Sequence, residues 1–238
     1  MTNSQQIDRV RELRAQGCAP RQIARAVGLR PAEVSVLLRQ AAKESSAAAG
    51  PAPLVGCWVS AGWASGLTVR GHAAWPGLDA DDPAADGLAA VLVARRHRYD
   101  KVSVCGYLVD VYCLGVKNAL GPRVMDEHAL LAFRRRFFEG YDAEPLAAPL
   151  DLAQQLVIGA LDYARSLGFE PPAEYTDAAG HLGPGSGPCD IEFGRDRKPY
   201  FVQGPYDDPR RIMRTLDNTV GQGNYHYLMP LPVDALGH

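Results

Sequence analysis

Between Pro20 and Gln40 the chain reads PRQIARAVGLRPAEVSVLLRQ, and the spacing of its apolar residues leaves little choice of local structure. Ile23 and Val27 recur at helical spacing, and so do Val34, Leu37 and Leu38, so two short helices each bury one face. Ala24 is small enough to let them cross closely. Gly28 stands where the chain must turn, because glycine takes a positive φ without a Cβ clash. Pro31 suits the first turn of the next helix, where its missing N–H is not needed, and Glu33 adds negative charge near that helix's positive end. Upstream, Ser4–Ala15 carries Ile7, Val10 and Leu13 on one stripe and stops at Gly17, which predicts a first helix. The third is expected to run from Pro31 to about Lys43.

With Ala24, Gly28 and two later aliphatic positions spaced in this way, the stretch resembles the helix-turn-helix of bacterial regulators and recombinases, over about the first fifth of the chain. The resemblance implies double-stranded DNA as partner, with the third helix in the major groove. On that reading Arg30, Ala32, Ser35, Val36, Arg39 and Gln40 lie near DNA, and Arg39 and Gln40 have the donor geometry that reads guanine and adenine edges. Arg21 and Arg25 touch phosphate, with plain solvated charge as the alternative for either. A three-helix unit used only for protein contact is the alternative for the whole module, because fold does not fix function.

The charge distribution points the same way. Residues 1–43 hold eight basic side chains (Arg9, Arg11, Arg14, Arg21, Arg25, Arg30, Arg39, Lys43) against Asp8, Glu12 and Glu33, a balance of +5. The remainder balances at −7, so the formal net charge of −2 hides a basic head on an acidic body. Neutralising phosphates releases condensed counterions, which requires such a head, whereas the body is repelled by a polyanion. No apolar run approaches the ~20 residues that span a bilayer, and the polar N-terminus lacks a signal peptide's apolar core. Five scattered cysteines, an odd number, do not make a disulfide framework. A cytoplasmic location away from membranes is the expectation.

Residues 44–53, ESSAAAGPAP, read as a flexible linker with nothing to bury. The body then opens with a strand holding Val55, Trp58 and Val59, and Trp63 in the turn after it. His72–Asp86 reads as a long surface loop. Leu88–Ala94 and Val102–Val111 are apolar and β-branched, which predicts a hairpin tipped by the charged run Arg95–Lys101. That run reads as a solvated tip, with phosphate binding as the alternative. Tyr112–Leu120 suggests a turn into a helix. Glu127–Tyr141 is an amphipathic helix anchored by Leu130, Leu131, Phe133 and Phe137. Leu150–Leu167 is the strongest helix of the body, ended by Gly168. Gly180–Pro188 reads as loop, Ile191–Phe193 and Pro199–Gln203 as short strands, and Pro209–Thr219 as a last helix. The tail is expected to add an edge strand or pack as coil. Strands come in hairpins and not in alternating βαβ units, so the fold class is α+β: a three-helix helix-turn-helix module over 1–43, a linker over 44–53, and a larger domain of antiparallel hairpins and packed helices over 54–238.

Candidates for chemistry in the body are few. Asp190 and Glu192, at i and i+2 on a strand, point to one side and are the candidate metal ligands, with Asp110, Asp207 and Asp208 to join them in space. Asp207–Asp208 before Pro209 reads more simply as a helix N-cap. Cys113 with His226 is a conceivable thiol–imidazole pair, although cysteine is a common core filler. Gly183–Pro188 lacks the Lys-Ser/Thr ending of a phosphate loop, and its prolines remove donors, so no cofactor is expected. LVDVYCLGVKNA and IEFGRDRKPYFVQGPYDDP resemble parts of an uncharacterised bacterial domain, which adds no catalytic residue. The expected function is DNA binding by a transcriptional regulator, a homodimer whose body senses or dimerises, with any small-molecule effector unknown. A metal-dependent nuclease or hydrolase targeted by the head, and a protein-interaction module, are the alternatives.

Overall fold

A computed structural model of the protein describes residues 3–37, 51–79, 82–185 and 187–229. It is a mixed helix-and-strand fold built around an antiparallel sheet. The chain divides into two compact units, Met1–Pro51 and Ala52–His238.

In the first unit, α1 spans Asn3–Ala15, α2 spans Pro20–Val27, and 31–37 is helical and is named α3. Ile7, Val10, Leu13, Ile23, Ala24, Val34 and Leu37 form its buried core, and Cys18, Val27 and Leu29 pack against it. Gly28 sits at φ +70°, and its N–H donates to the Ala24 carbonyl to close α2.

The second unit is organised by a five-stranded sheet in the order β5-β4-β3-β1-β6. Its strands are β1 (Leu54–Val59), β3 (Leu88–Arg96), β4 (Lys101–Asp110), β5 (Gly115–Asp126) and β6 (Leu146–Ala147), and every pairing among them is antiparallel. Both faces are covered, which explains why β3 and β4 read as continuous apolar runs and not as alternating ones. Val91, Val93, Tyr107 and Val109 face α5 (Leu150–Ser166) and α6 (Glu174–Leu182). Their neighbours Ala90, Leu92, Val102 and Val104 face α4 (Glu127–Phe137), through Leu130 and, just past its end, Phe138. A two-stranded ribbon pairs β2 (Thr68–Val69) with β7 (Ile191–Glu192).

Several expectations give way to the structure. Tyr112–Leu120 turns into a strand, because Gly115 at φ +67° lets the chain reverse directly into β5. A Cβ there would lie 2.8 Å from the Ala160 carbonyl oxygen and 2.7 Å from the Ala164 methyl, so α5 rests on this turn. Arg95 is not at a solvated tip. It is 4% exposed, and its guanidinium donates to the carbonyls of His181 (2.5 Å), Ala52 (2.7 Å) and Leu182 (3.1 Å). The loop after His72 is pinned by Trp75, which is buried edge-on against Trp63. In α4, Leu131 is exposed and Phe138 takes the inward place. Residues 174–182 form α6 and bury Ala178 and Leu182, so the helix takes Gly180, His181 and Leu182 from the start of the expected loop over Gly180–Pro188.

The last segment departs from the hairpin rule. β8 (Tyr200–Val202) and β9 (His226–Leu228) pair in parallel, with α7 (Pro209–Thr219) between them in sequence. A parallel pair needs a long crossover, and α7 supplies it. Phe201, Ile212, Leu216 and Tyr225 form a further core there with Cys113 and Leu167.

Gly115→Ala combines a disfavoured φ with a clash against α5 backbone. It is expected to cost about 3 kcal/mol in urea unfolding, and a loss under about 0.5 kcal/mol would contradict the packing described.

Candidate nucleic-acid interface

In the first unit α3 presents two unlike sides. Val34 and Leu37 are buried, whereas Ala32, Ser35 and Val36 face solvent. The turn into α3 is held from within. Arg30 donates its backbone N–H to Glu33 Oε2 at 2.8 Å, and its guanidinium to Glu33 Oε1 at 2.7 Å. The guanidinium, and then the backbone N–H, hold the Glu33 carboxyl below its ordinary range. The Ser35 hydroxyl donates to the Pro31 carbonyl at 2.9 Å. Arg21 and Arg25 lie exposed on α2, with no ion pair among the described residues.

Of the residues nominated from sequence, the structure therefore brings Arg21, Arg25, Arg30 and Ser35 to the surface of one small unit. It engages Arg30 and Ser35 with α3 itself. Arg39 and Gln40 lie outside the described residues.

In the second unit the acidic candidates are separated by their partners. Asp190 Oδ2 lies 2.7 Å from His72 Nε2, and that imidazole stacks on Trp75 with ring centroids 3.9 Å apart. Glu192 is paired with Arg70. Each carboxylate thus has its own partner, His72 or Arg70, from the segment that begins at β2. No group of three or more His, Cys, Asp or Glu suited to a metal ion occurs among the described residues. Asp208 caps α7 by accepting the Arg211 N–H, as the N-cap reading requires.

Asp207 has a different role. Its Oδ2 accepts from Lys117 Nζ at 2.6 Å and from the Gly204 N–H at 2.7 Å, tying β5 to the loop before α7. Asp110 is 3% exposed at the end of β4, where it accepts the Tyr112 and Cys113 N–H groups at 2.9 Å. Burial pushes its carboxyl up from the ordinary 3.8 to about 6, against the opposing pull of those N–H groups, that of Leu114, and Lys117. From the sequence Asp110 reads as company for Asp190, and Asp207 as that or as part of the N-cap with Asp208. Lys117–Asn118, an isolated polar pair beside an apolar run, reads from the sequence as a turn cap, with a place in a pocket as the alternative; Lys117 instead pairs with Asp207.

Cys113 and His226 do not form a nucleophilic pair. Cys113 is fully buried and His226 is exposed on β9. Burial, followed by the negative charge of Asp110, pushes the Cys113 thiol up, away from the thiolate a nucleophile needs.

The chain matches no family model, no curated protein and no solved structure. Among the described residues no helix is long and apolar enough to cross a membrane.

The raised Asp110 carboxyl has a stability consequence of definite sign. Between about pH 4 and 6 the folded chain holds a proton there that the unfolded chain releases. This group therefore favours folding as pH falls through that window and opposes it, undiminished, above pH 6. Asp110→Asn removes the effect while keeping an acceptor for the turn. Its stability relative to the parent is expected to fall by about 2 kcal/mol from pH 7 to pH 4. A difference that stays constant across that range, measured by denaturant unfolding, would refute the assignment.

Proposed function

We propose that residues 1–43 are a helix-turn-helix module that docks on double-stranded DNA, and that the protein is a transcriptional regulator. The observation that carries this reading is the division of α3. Its buried side fixes it to α1 and α2 through Val34 and Leu37, while Ala32, Ser35 and Val36 are exposed to solvent. The +5 balance of the segment supplies attraction to phosphate, and Arg21 and Arg25 are its exposed cations on α2.

A single small head makes few base contacts. Useful affinity then comes from two heads on one site, and the second unit would join two copies as a homodimer. The pairing of Asp190 with His72 and of Glu192 with Arg70 gives no support to a metal-dependent enzyme as the alternative.

Salt dependence tests the docking surface directly. Each phosphate contact contributes about −0.9 to the slope of log affinity against log salt concentration. Arg21→Ala and Arg25→Ala should each flatten the slope by about 1 in fluorescence anisotropy with duplex DNA, with unchanged helical content. Affinity and slope that match the parent in the double variant would remove α2 from the interface.

A further inference from the structure

The face that α3 turns to solvent is poor in available hydrogen-bonding groups. Ala32 and Val36 stand one turn apart and both are exposed, Val36 by 52%. Ser35, on the same side, has its hydroxyl directed to the Pro31 carbonyl. Arg30, just ahead, directs its guanidinium to Glu33. What the first turns of α3 offer outward is therefore a methyl group and an isopropyl group, beside polar side chains engaged with the helix itself.

Val36 is not among the described core residues of this unit, to which α3 contributes Val34 and Leu37. Its surroundings identify what would cover it. The unit is strongly basic, and Arg21 and Arg25 are exposed on the neighbouring helix, so the complementary partner is a polyanion and not an apolar protein surface. Among the groups that base edges present in the major groove, the thymine C5-methyl is the apolar one.

We propose that Val36 packs on a thymine methyl group, so that the first turns of α3 select A·T pairs by apolar contact and not by hydrogen bonds. This rests on the DNA-binding reading above. It goes further by assigning the specificity to a residue that has no polar atom in its side chain. Hydrogen-bond readout of guanine or adenine is then left to other side chains of the module.

The test uses the full chain. Duplexes are first selected from a random library by the unmodified protein. In the tightest-bound duplex each thymine is then replaced in turn by deoxyuridine, which lacks only the C5-methyl. At one or two positions the replacement should weaken binding about 4-fold, the loss carried by one buried methyl group. With Val36→Ala, deoxyuridine at one of those positions should change affinity by less than 1.5-fold. Val36 is exposed, so this variant should fold, and circular dichroism checks that it does. Enriched duplexes that tolerate deoxyuridine at every position would overturn the proposal and leave DNA binding standing, as would full sensitivity retained by Val36→Ala. If no duplex is enriched, the DNA-binding reading fails and this inference fails with it.

Discussion

The second unit depends on burying both faces of one antiparallel sheet. Successive residues of β3 and β4 go alternately to the α5/α6 side and to the α4 side, so a slip of one residue would exchange two complete sets of core contacts. With both sides apolar, hydrophobicity alone does not specify the register. Size and shape do: Tyr107 reaches α6 and donates its hydroxyl to the Ala178 carbonyl at 2.8 Å, which it can do from one face only. Gly106, next to it, leaves the opposite face flat, so that the ring of Phe137 lies against bare backbone. Sheet, helices and the turn at Gly115 follow from that register.

Charge in this unit is placed where the chain changes direction. Asp110 ends β4 by collecting the N–H groups of the next turn, and the Lys117–Asp207 pair fastens the C-terminal βαβ segment to β5. Such groups are costly to bury, and they are tolerated because backbone donors or an opposite charge meet them. The first unit follows another rule. Among the described residues its buried core is aliphatic, and its polar contacts, such as Arg30 with Glu33 and Ala19 with Gln22, are short-range.

That contrast accounts for what could be read in advance. The stripe Ile7, Val10, Leu13 and the turn at Gly28 were legible because spacing and glycine chemistry act over a few residues. So were the β3–β4 hairpin and α5, whose apolar runs are long. Arg95 was misjudged because its partners, at Ala52 and at the end of α6, are far away in sequence, and nothing local separates a buried arginine from a solvated one. The strand after Gly115 was misread for a related reason: what makes that glycine necessary is α5, some forty-five residues later. The parallel pairing of β8 with β9 was hidden because three-residue strands carry too little pattern to reveal their direction. At the surface of α3, sequence supplied the exposed side but not the hydrogen bonds that tie Arg30 to Glu33 and Ser35 to the Pro31 carbonyl.

The three carbonyls gathered by Arg95 couple parts of the chain that would otherwise loosen separately. One belongs to the lead-in to β1, two to the C-terminal end of α6, and the guanidinium itself to the end of β3. Releasing any one of them strands donors of a buried cation, so none can fray cheaply by itself. Amide hydrogens in these segments would therefore exchange with solvent through a shared opening event, and the start of the second unit would open as one cooperative block with the α6 terminus.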